Sequence, residues 1–407
     1  MVPSRVSLSF LALSVVLFVV GAAAQSSPDP RPGYVGDAAC ASCHQSQSGS
    51  YEHTSHRLTS QPVTKDSVLG SLAEGSNVLK IVDPAREPAL PGLYFKMDHK
   101  DGSHYQTAAT GWGSDLVKRT ERMDLMTGSG VRGATYLYWQ SDQLFELPVS
   151  YWTDGHRWIN SPGYANGTVD FSRPVNPGCL ECHASYIQPL SADPNTNRYD
   201  RASLVTGITC EYCHGPGAEH IARQKAGTAK TSGQAILNPA HFSRDRQVDL
   251  CALCHNGIQR EPLAPAFSYV PGRPLGDYFK PLPTAVSDRP DVHGNQVGLL
   301  ERSRCYQSSP QMSCSTCHDV HSAERPATSY SEKCLGCHQW QSCGESKKLG
   351  HAIVKNCIDC HMPVQPTNVI VSETADQVVR ATMRNHWIKV WPPASSGAGK
   401  PSDRAVR

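Results

Sequence analysis

Apolar side chains are scarce in this 407-residue chain: 39% of its residues are hydrophobic and 7% aromatic, with 8 Phe and 7 Met. With 30 Pro and 32 Gly as interruptions, this excludes a large aliphatic core and long regular helices. Charge of one sign is missing too. Thirty-eight basic residues against 36 acidic ones leave a net charge of +2, which argues against nucleic-acid binding and gives little steering toward a strongly charged partner. After Val20, no apolar run approaches the ~20 residues of a membrane span. The run that exists, Val6 to Val20, follows one basic residue, Arg5, and leads to Gly21-Ala-Ala-Ala24. That order describes a secretory signal peptide over residues 1–24, cut after Ala24. The expected mature protein is exported, periplasmic or secreted, with no membrane span after cleavage.

Cysteine and histidine, by contrast, are abundant, at 16 and 18. Fourteen of the cysteines fall into seven copies of C-x-x-C-H. These are Cys40/Cys43/His44, Cys179/Cys182/His183, Cys210/Cys213/His214, Cys251/Cys254/His255, Cys314/Cys317/His318, Cys334/Cys337/His338 and Cys357/Cys360/His361. This is the attachment pattern of haem c: two thiols bond the porphyrin vinyl groups, and the adjoining histidine reaches the iron as proximal ligand. The two-residue gap puts both sulfurs on one helical turn under one porphyrin edge. Zinc sites also use C-x-x-C pairs, but nothing in zinc chemistry places His after the second Cys seven times. Seven covalent haems are the expected cofactors. Their apolar surface can supply the interior that the side chains lack.

Cys305 and Cys343 are left over. In an oxidising compartment an even remainder suggests a disulfide, bracketing the motifs at Cys314 and Cys334. Two free buried thiols or links to other molecules are the alternatives.

Eleven histidines remain beyond the seven in motifs. The candidates for distal iron ligands are His56, His220, His293, His321, His351 and His386, with His53 or His241 as a seventh, or none. Gly215-Pro-Gly217 ends the helix after the third motif and swings His220 toward a neighbouring haem. His318 and His321 are one turn apart, so if both bind iron they bind different irons. His99 and His104 fall in an expected hairpin and His156 in a turn; none is expected to bind haem iron. Met362 directly follows His361 and cannot reach over the same porphyrin. Mostly His/His ligation implies low potentials compared with His/Met haems.

The expected fold is a multihaem cytochrome c, mainly short α-helices and loops wrapped around haems, with an inserted small β-rich module. Residues 25–60 would hold the first haem, 61–175 the β-rich module, 176–390 a six-haem array, and 391–407 a disordered tail. Within the module, Leu93 to Asp98 and Ser103 to Thr107 read as one hairpin, and Ala134 to Trp139 with Leu144 to Trp152 as a second.

Several stretches resemble exported multihaem c-type cytochromes related to the tetrahaem cytochrome of nitrifying bacteria, and their bacterial relatives. They are Cys40-Ala-Ser-Cys-His44 with Ser55-His56, Gly207-Ile-Thr-Cys-Glu-Tyr-Cys-His-Gly-Pro-Gly-Ala-Glu-His220, Met312-Ser-Cys-Ser-Thr-Cys-His-Asp-Val-His321 and Asn356-Cys-Ile-Asp-Cys-His-Met-Pro363. The segment Gly128 to Tyr138 looks like those relatives as well. The resemblance spans residues 37–60 and about 176–390. It implies that His220, just past Gly-Pro-Gly, and His321, three after a motif His, are distal ligands to neighbouring haems. It also implies an electron carrier; the expected partners are other redox proteins or further copies of the chain, and the charge balance points to no nucleic acid. An oxidoreductase acting on a nitrogen or sulfur oxyanion at one open haem, and a polymerising filament subunit, are the alternative readings. None of the seven motifs ends in Lys, as one does in pentahaem nitrite reductases.

Overall fold

The structure is a computed structural model that describes residues 29–82, 92–111, 116–231, 233, 235–257, 260–281, 288–290, 295–323, 326–373 and 378–392. The expected signal segment, His293 and most of the expected tail lie outside these residues.

Alternating apolar and polar residues build two antiparallel sheets. The first orders its strands β1-β6-β7-β8-β9, formed by Ser60–Pro62, Leu125–Thr127, Gly133–Gln140, Gln143–Trp152 and Arg157–Asn160. The second orders its strands β2-β3-β4-β5, formed by Val78–Val82, Leu93–Lys100, Ser103–Thr110 and Val117–Arg122. Both expected hairpins form. In β3–β4, Leu93 pairs with Thr110 and Lys100 with Ser103, around Asp101 (φ 51°) and Gly102 (φ 76°). Positive φ at both turn residues matches the right-handed twist of the strands, so Asp-Gly closes the hairpin in two residues. The inward side chains of both sheets share one core, among them Phe95, Met97, Tyr136, Leu147, Val149 and Trp158. Gln106, fully buried on β4, ties the sheets together. Its amide donates to Val149 O at 2.6 Å and accepts from Val149 N at 3.1 Å.

The expectation of mainly short helices is overturned. Among the described residues, about as many lie in strands as in helical turns, because the second half contributes three further two-stranded antiparallel ladders. These are Ala184–Pro189 with Tyr199–Thr206 (β10–β11), Arg260–Pro262 with Phe279–Pro281 (β12–β13), and Val364–Glu373 with Val378–Arg384 (β14–β15). A ladder pairs backbone N–H and C=O groups without needing many apolar side chains, which suits so polar a chain.

Candidate functional site

Each motif is one helical turn. His44 N donates to Cys40 O at 2.9 Å, His318 N to Cys314 O at 3.0 Å, His338 N to Cys334 O at 2.9 Å and His361 N to Cys357 O at 3.1 Å. The other three motifs end the helices Pro177–His183, Cys210–His214 and Arg244–His255. Residues three and four apart on a turn share a face, so both thiols and the imidazole project together. The first five motifs and Cys334 line one continuous cavity of about 3400 Å³. That is several times the ~300–1,000 Å³ of an ordinary small-molecule pocket, and the residues present therefore fit a group of porphyrins rather than one ligand.

The rest of the sixth and seventh motifs departs from the expected common interior. Cys337, His338, Cys357, Cys360 and His361 do not line the cavity, and Cys337, His338 and Cys360 are exposed. The surrounding turns explain this, because they bring almost no apolar side chains to bury. Helix Ala327–Leu335, which leads into Cys337, buries Ser331 alone, and the 3-10 turn Gly350–Lys355 buries nothing. The Cys337 turn itself is intact, with Cys337 N donating to Cys334 O at 3.1 Å.

The histidines meet across the cavity in pairs. Ring centroids lie 6.4 Å apart for His44 and His220, 6.1 Å for His214 and His321, 6.1 Å for His318 and His386, and 6.1 Å for His56 and His255. A metal–imidazole bond of ~2.0 Å puts each centroid ~3.1 Å from the ion, so two axial imidazoles stand about 6.2 Å apart. All four pairs match that spacing. The first three have near-parallel planes (24°, 22° and 25°), whereas His56 and His255 are nearly perpendicular at 85°.

Desolvation by the surrounding side chains pushes His255 down to about 4, and desolvation followed by the neighbouring His318 does the same to His386. His56 and His214 are lowered for the same first reason. A neutral imidazole is the form that ligates metal. Its other nitrogen is held from outside: Nδ1–H of His214 donates to Leu237 O (2.8 Å), that of His361 to Lys389 O (3.0 Å) and that of His386 to Arg384 O (3.1 Å). This leaves Nε2 for an iron, as metal-binding histidines require. His183 Nδ1 stands 3.0 Å from Thr59 Oγ1 and 3.3 Å from Thr59 O. Of the sequence candidates, His56, His220, His321 and His386 are thus brought opposite motif histidines. His351 instead lies edge-on to Trp340 at 5.4 Å, while His53 and His241 are exposed.

Cysteines of different motifs also touch. Cys40 is within hydrogen-bond reach of Cys210, Cys182 of Cys254, and Cys251 of Cys314. Cys334 is near enough to Cys317 and Cys357 to feel both electrostatically. The expected Cys305–Cys343 disulfide is absent: both are free thiols. Cys305 neighbours Cys317 and Cys334, whereas Cys343 neighbours Cys360.

Sequence reasoning missed the carboxylates inside two motifs. Glu211 is 2% exposed and accepts from Val35 N (3.0 Å), Gly36 N (2.8 Å) and Gly217 N (2.8 Å). It pins the segment leading into the first motif onto the third. Asp37 reinforces the join by accepting from Cys210 N at 2.9 Å. Glu181 accepts from Phe267 N at 2.9 Å, and its own carbonyl takes the Tyr212 hydroxyl at 2.5 Å. The available signal was an acid among otherwise variable x positions. Gly207 (φ 68°) permits a further close approach, since a Cβ there would sit 2.1 Å from Arg57 O. It is followed by Ile208, whose N donates to His56 O at 3.0 Å.

A family model described as cytochrome c554 and c-prime matches residues 162–215. The C-type polyheme cytochrome OmcC of Geobacter sulfurreducens is 28% identical over 167 residues, covering 36% of this chain and 20% of that protein. The multiheme cytochrome MtrA of Shewanella baltica is 24% identical over 193 residues, covering 46% and 45%. The chain thus spans less than half the length of these curated relatives. Among solved structures, the outer cell wall cytochrome OcwA superposes with a TM-score of 0.52 at 18% identity, over 88% of this chain and 80% of that one. Paired thiols with a histidine on each turn, the shared cavity and these likenesses define a multihaem c-type cytochrome. No helix among the described residues is long and apolar enough to cross a membrane.

Proposed function

We propose that this protein is an exported heptahaem cytochrome, periplasmic or secreted, that relays electrons between other redox proteins through mostly bis-histidine haems. The observation carrying this reading is the set of four histidine pairs at 6.1–6.4 Å, each joining a motif His to a His from elsewhere in the chain. All seven motifs attach haem, and bound haem supplies a reversible one-electron couple. The protein's own residues do the rest. An iron held between such a pair of imidazoles would be closed to substrate and would have no ligand to lose during transfer. Backbone carbonyls on Nδ1 hold those imidazoles still, which keeps reorganisation small.

The cysteine contacts propose an order for the array. The first motif adjoins the third through Cys40 and Cys210, and His321 links the third to the fifth. Cys251 and Cys314 join the fourth to the fifth, and Cys254 and Cys182 place the second beside the fourth. Cys334 then connects the fifth, sixth and seventh. A file through the first, third, fifth, sixth and seventh motifs follows, with a side branch that leaves the fifth through the fourth to the second, and with exposed Cys43 at one end and exposed Cys360 at the other. Exposed Cys337 puts the sixth motif, like the seventh, at the surface where a partner could dock.

Protein-film voltammetry tests the relay. Reversible low-potential waves totalling seven electrons per chain are expected, unchanged by nitrite, hydroxylamine or sulfite. A catalytic current with any of these would replace the carrier reading with the oxidoreductase one.

A further inference from the structure

The tip of the β3–β4 hairpin holds a second kind of histidine pair. His99 and His104 are directly opposite in register, and their ring centroids are 4.7 Å apart with planes at 49°. The spacing used for the haem pairs reads differently here. With each centroid ~3.1 Å from a shared ion, 4.7 Å subtends about 99° at the metal. That falls between the right angle of square or octahedral sites and the tetrahedral angle, so the two rings can sit side by side on one ion. The cavity pairs, at 6.1–6.4 Å, can only be opposite.

A second observation is independent of the spacing. His104 is 3% exposed, yet its Nδ1 has no hydrogen-bond partner. Buried polar atoms are nearly always partnered, and one that is not calls for a ligand or a cost of ~1–3 kcal/mol. His99 is exposed and leaves the site reachable from solvent. The Asp101-Gly102 turn, with positive φ at both positions, fixes the register that brings the rings together. Among the described residues, none of this hairpin lines the haem cavity.

We propose that His99 and His104 form a binding site for a divalent transition-metal ion of the copper, nickel or zinc class, with water completing the coordination. Two neutral imidazoles favour such borderline ions over Mg²⁺ and Ca²⁺, and Cu²⁺ over Zn²⁺. The ion fills the vacant Nδ1 of His104 and lends the hairpin tip a positive charge.

The test uses chelator-treated, haem-loaded protein. Titration calorimetry with Zn²⁺ should show a site in the wild type that His99→Ala weakens at least tenfold, with the haem spectrum unchanged. Cu²⁺ added at one equivalent should give an EPR signal split by two imidazole nitrogens, and by one in His99→Ala. Equal Zn²⁺ affinity and stoichiometry in the two proteins, or a copper signal identical in both, would overturn the site.

Discussion

His56, which follows the first attachment motif, stands 6.1 Å from His255 of the fourth, with the two imidazole planes at 85°. The other three pairs are within 25° of parallel. Ferric haem between parallel imidazoles gives a rhombic low-spin EPR spectrum, and between perpendicular ones a single large-g feature. Both signals are therefore expected in the oxidised protein. His56→Ala should abolish the large-g component attributable to this pair and produce high-spin iron, whereas unchanged spectra would contradict the pairing.

Glu211 is expected to matter more for assembly than for potential. Its carboxylate satisfies three backbone donors, and Glu211→Ala strands all of them in a buried place. The loss should be about 3 kcal/mol or more. Denaturant unfolding of the haem-loaded variant would measure it; a change below about 0.5 kcal/mol would show that the join to the first motif is not stabilising.

Acid should favour the fold through Glu146. Burial raises this carboxyl to about 7, and Arg173 only partly offsets that, standing 3.4 Å away while also donating to Pro162 O at 2.8 Å. The folded state therefore binds a proton that the unfolded state releases near its ordinary value of 4.5. Where the folded state holds more protons, stability falls as pH rises. Between pH 5 and 8 this group alone should cost up to about 3 kcal/mol. Glu146→Gln should flatten that part of the pH profile in urea unfolding. An equally steep profile in the variant would assign the slope to other groups.

The two cysteines outside the motifs should both react with a thiol reagent in the unfolded, haem-bearing chain. Because Cys305 and Cys343 are unbridged, reductant should leave the melting temperature unchanged. A mass lower by two hydrogens and a melting temperature that drops on reduction would restore the disulfide.

The seven motif turns were legible because covalent haem chemistry would fix Cys, Cys and His within five positions. How deeply each one sits was not, since Cys337 and Cys213 share the same motif yet one is exposed and the other lines the cavity. Local geometry made His220 and His321 candidates, since Gly215 and the one-turn offset from His318 each send a ring away from its own motif, and each ring does face a motif histidine. Which motif histidine each faces was not. His56 meets its partner in the fourth motif, and that pairing depends on how Glu211, Asp37 and Gly207 dock distant segments. The two long hairpins showed period-two alternation and turn residues. The ladder Val364–Glu373 with Val378–Arg384 was missed because it lies directly after the motif at Cys357, where the haem pattern drew the reading toward helix. The disulfide failed for a related reason. An even remainder counts thiols without saying where they sit.

Haem stoichiometry tests the central claim most directly. Pyridine haemochrome absorbance against protein concentration, with the mass of the intact purified chain, should give seven covalent haems. A colourless protein that keeps its fold, or one with fewer haems per chain, would contradict it.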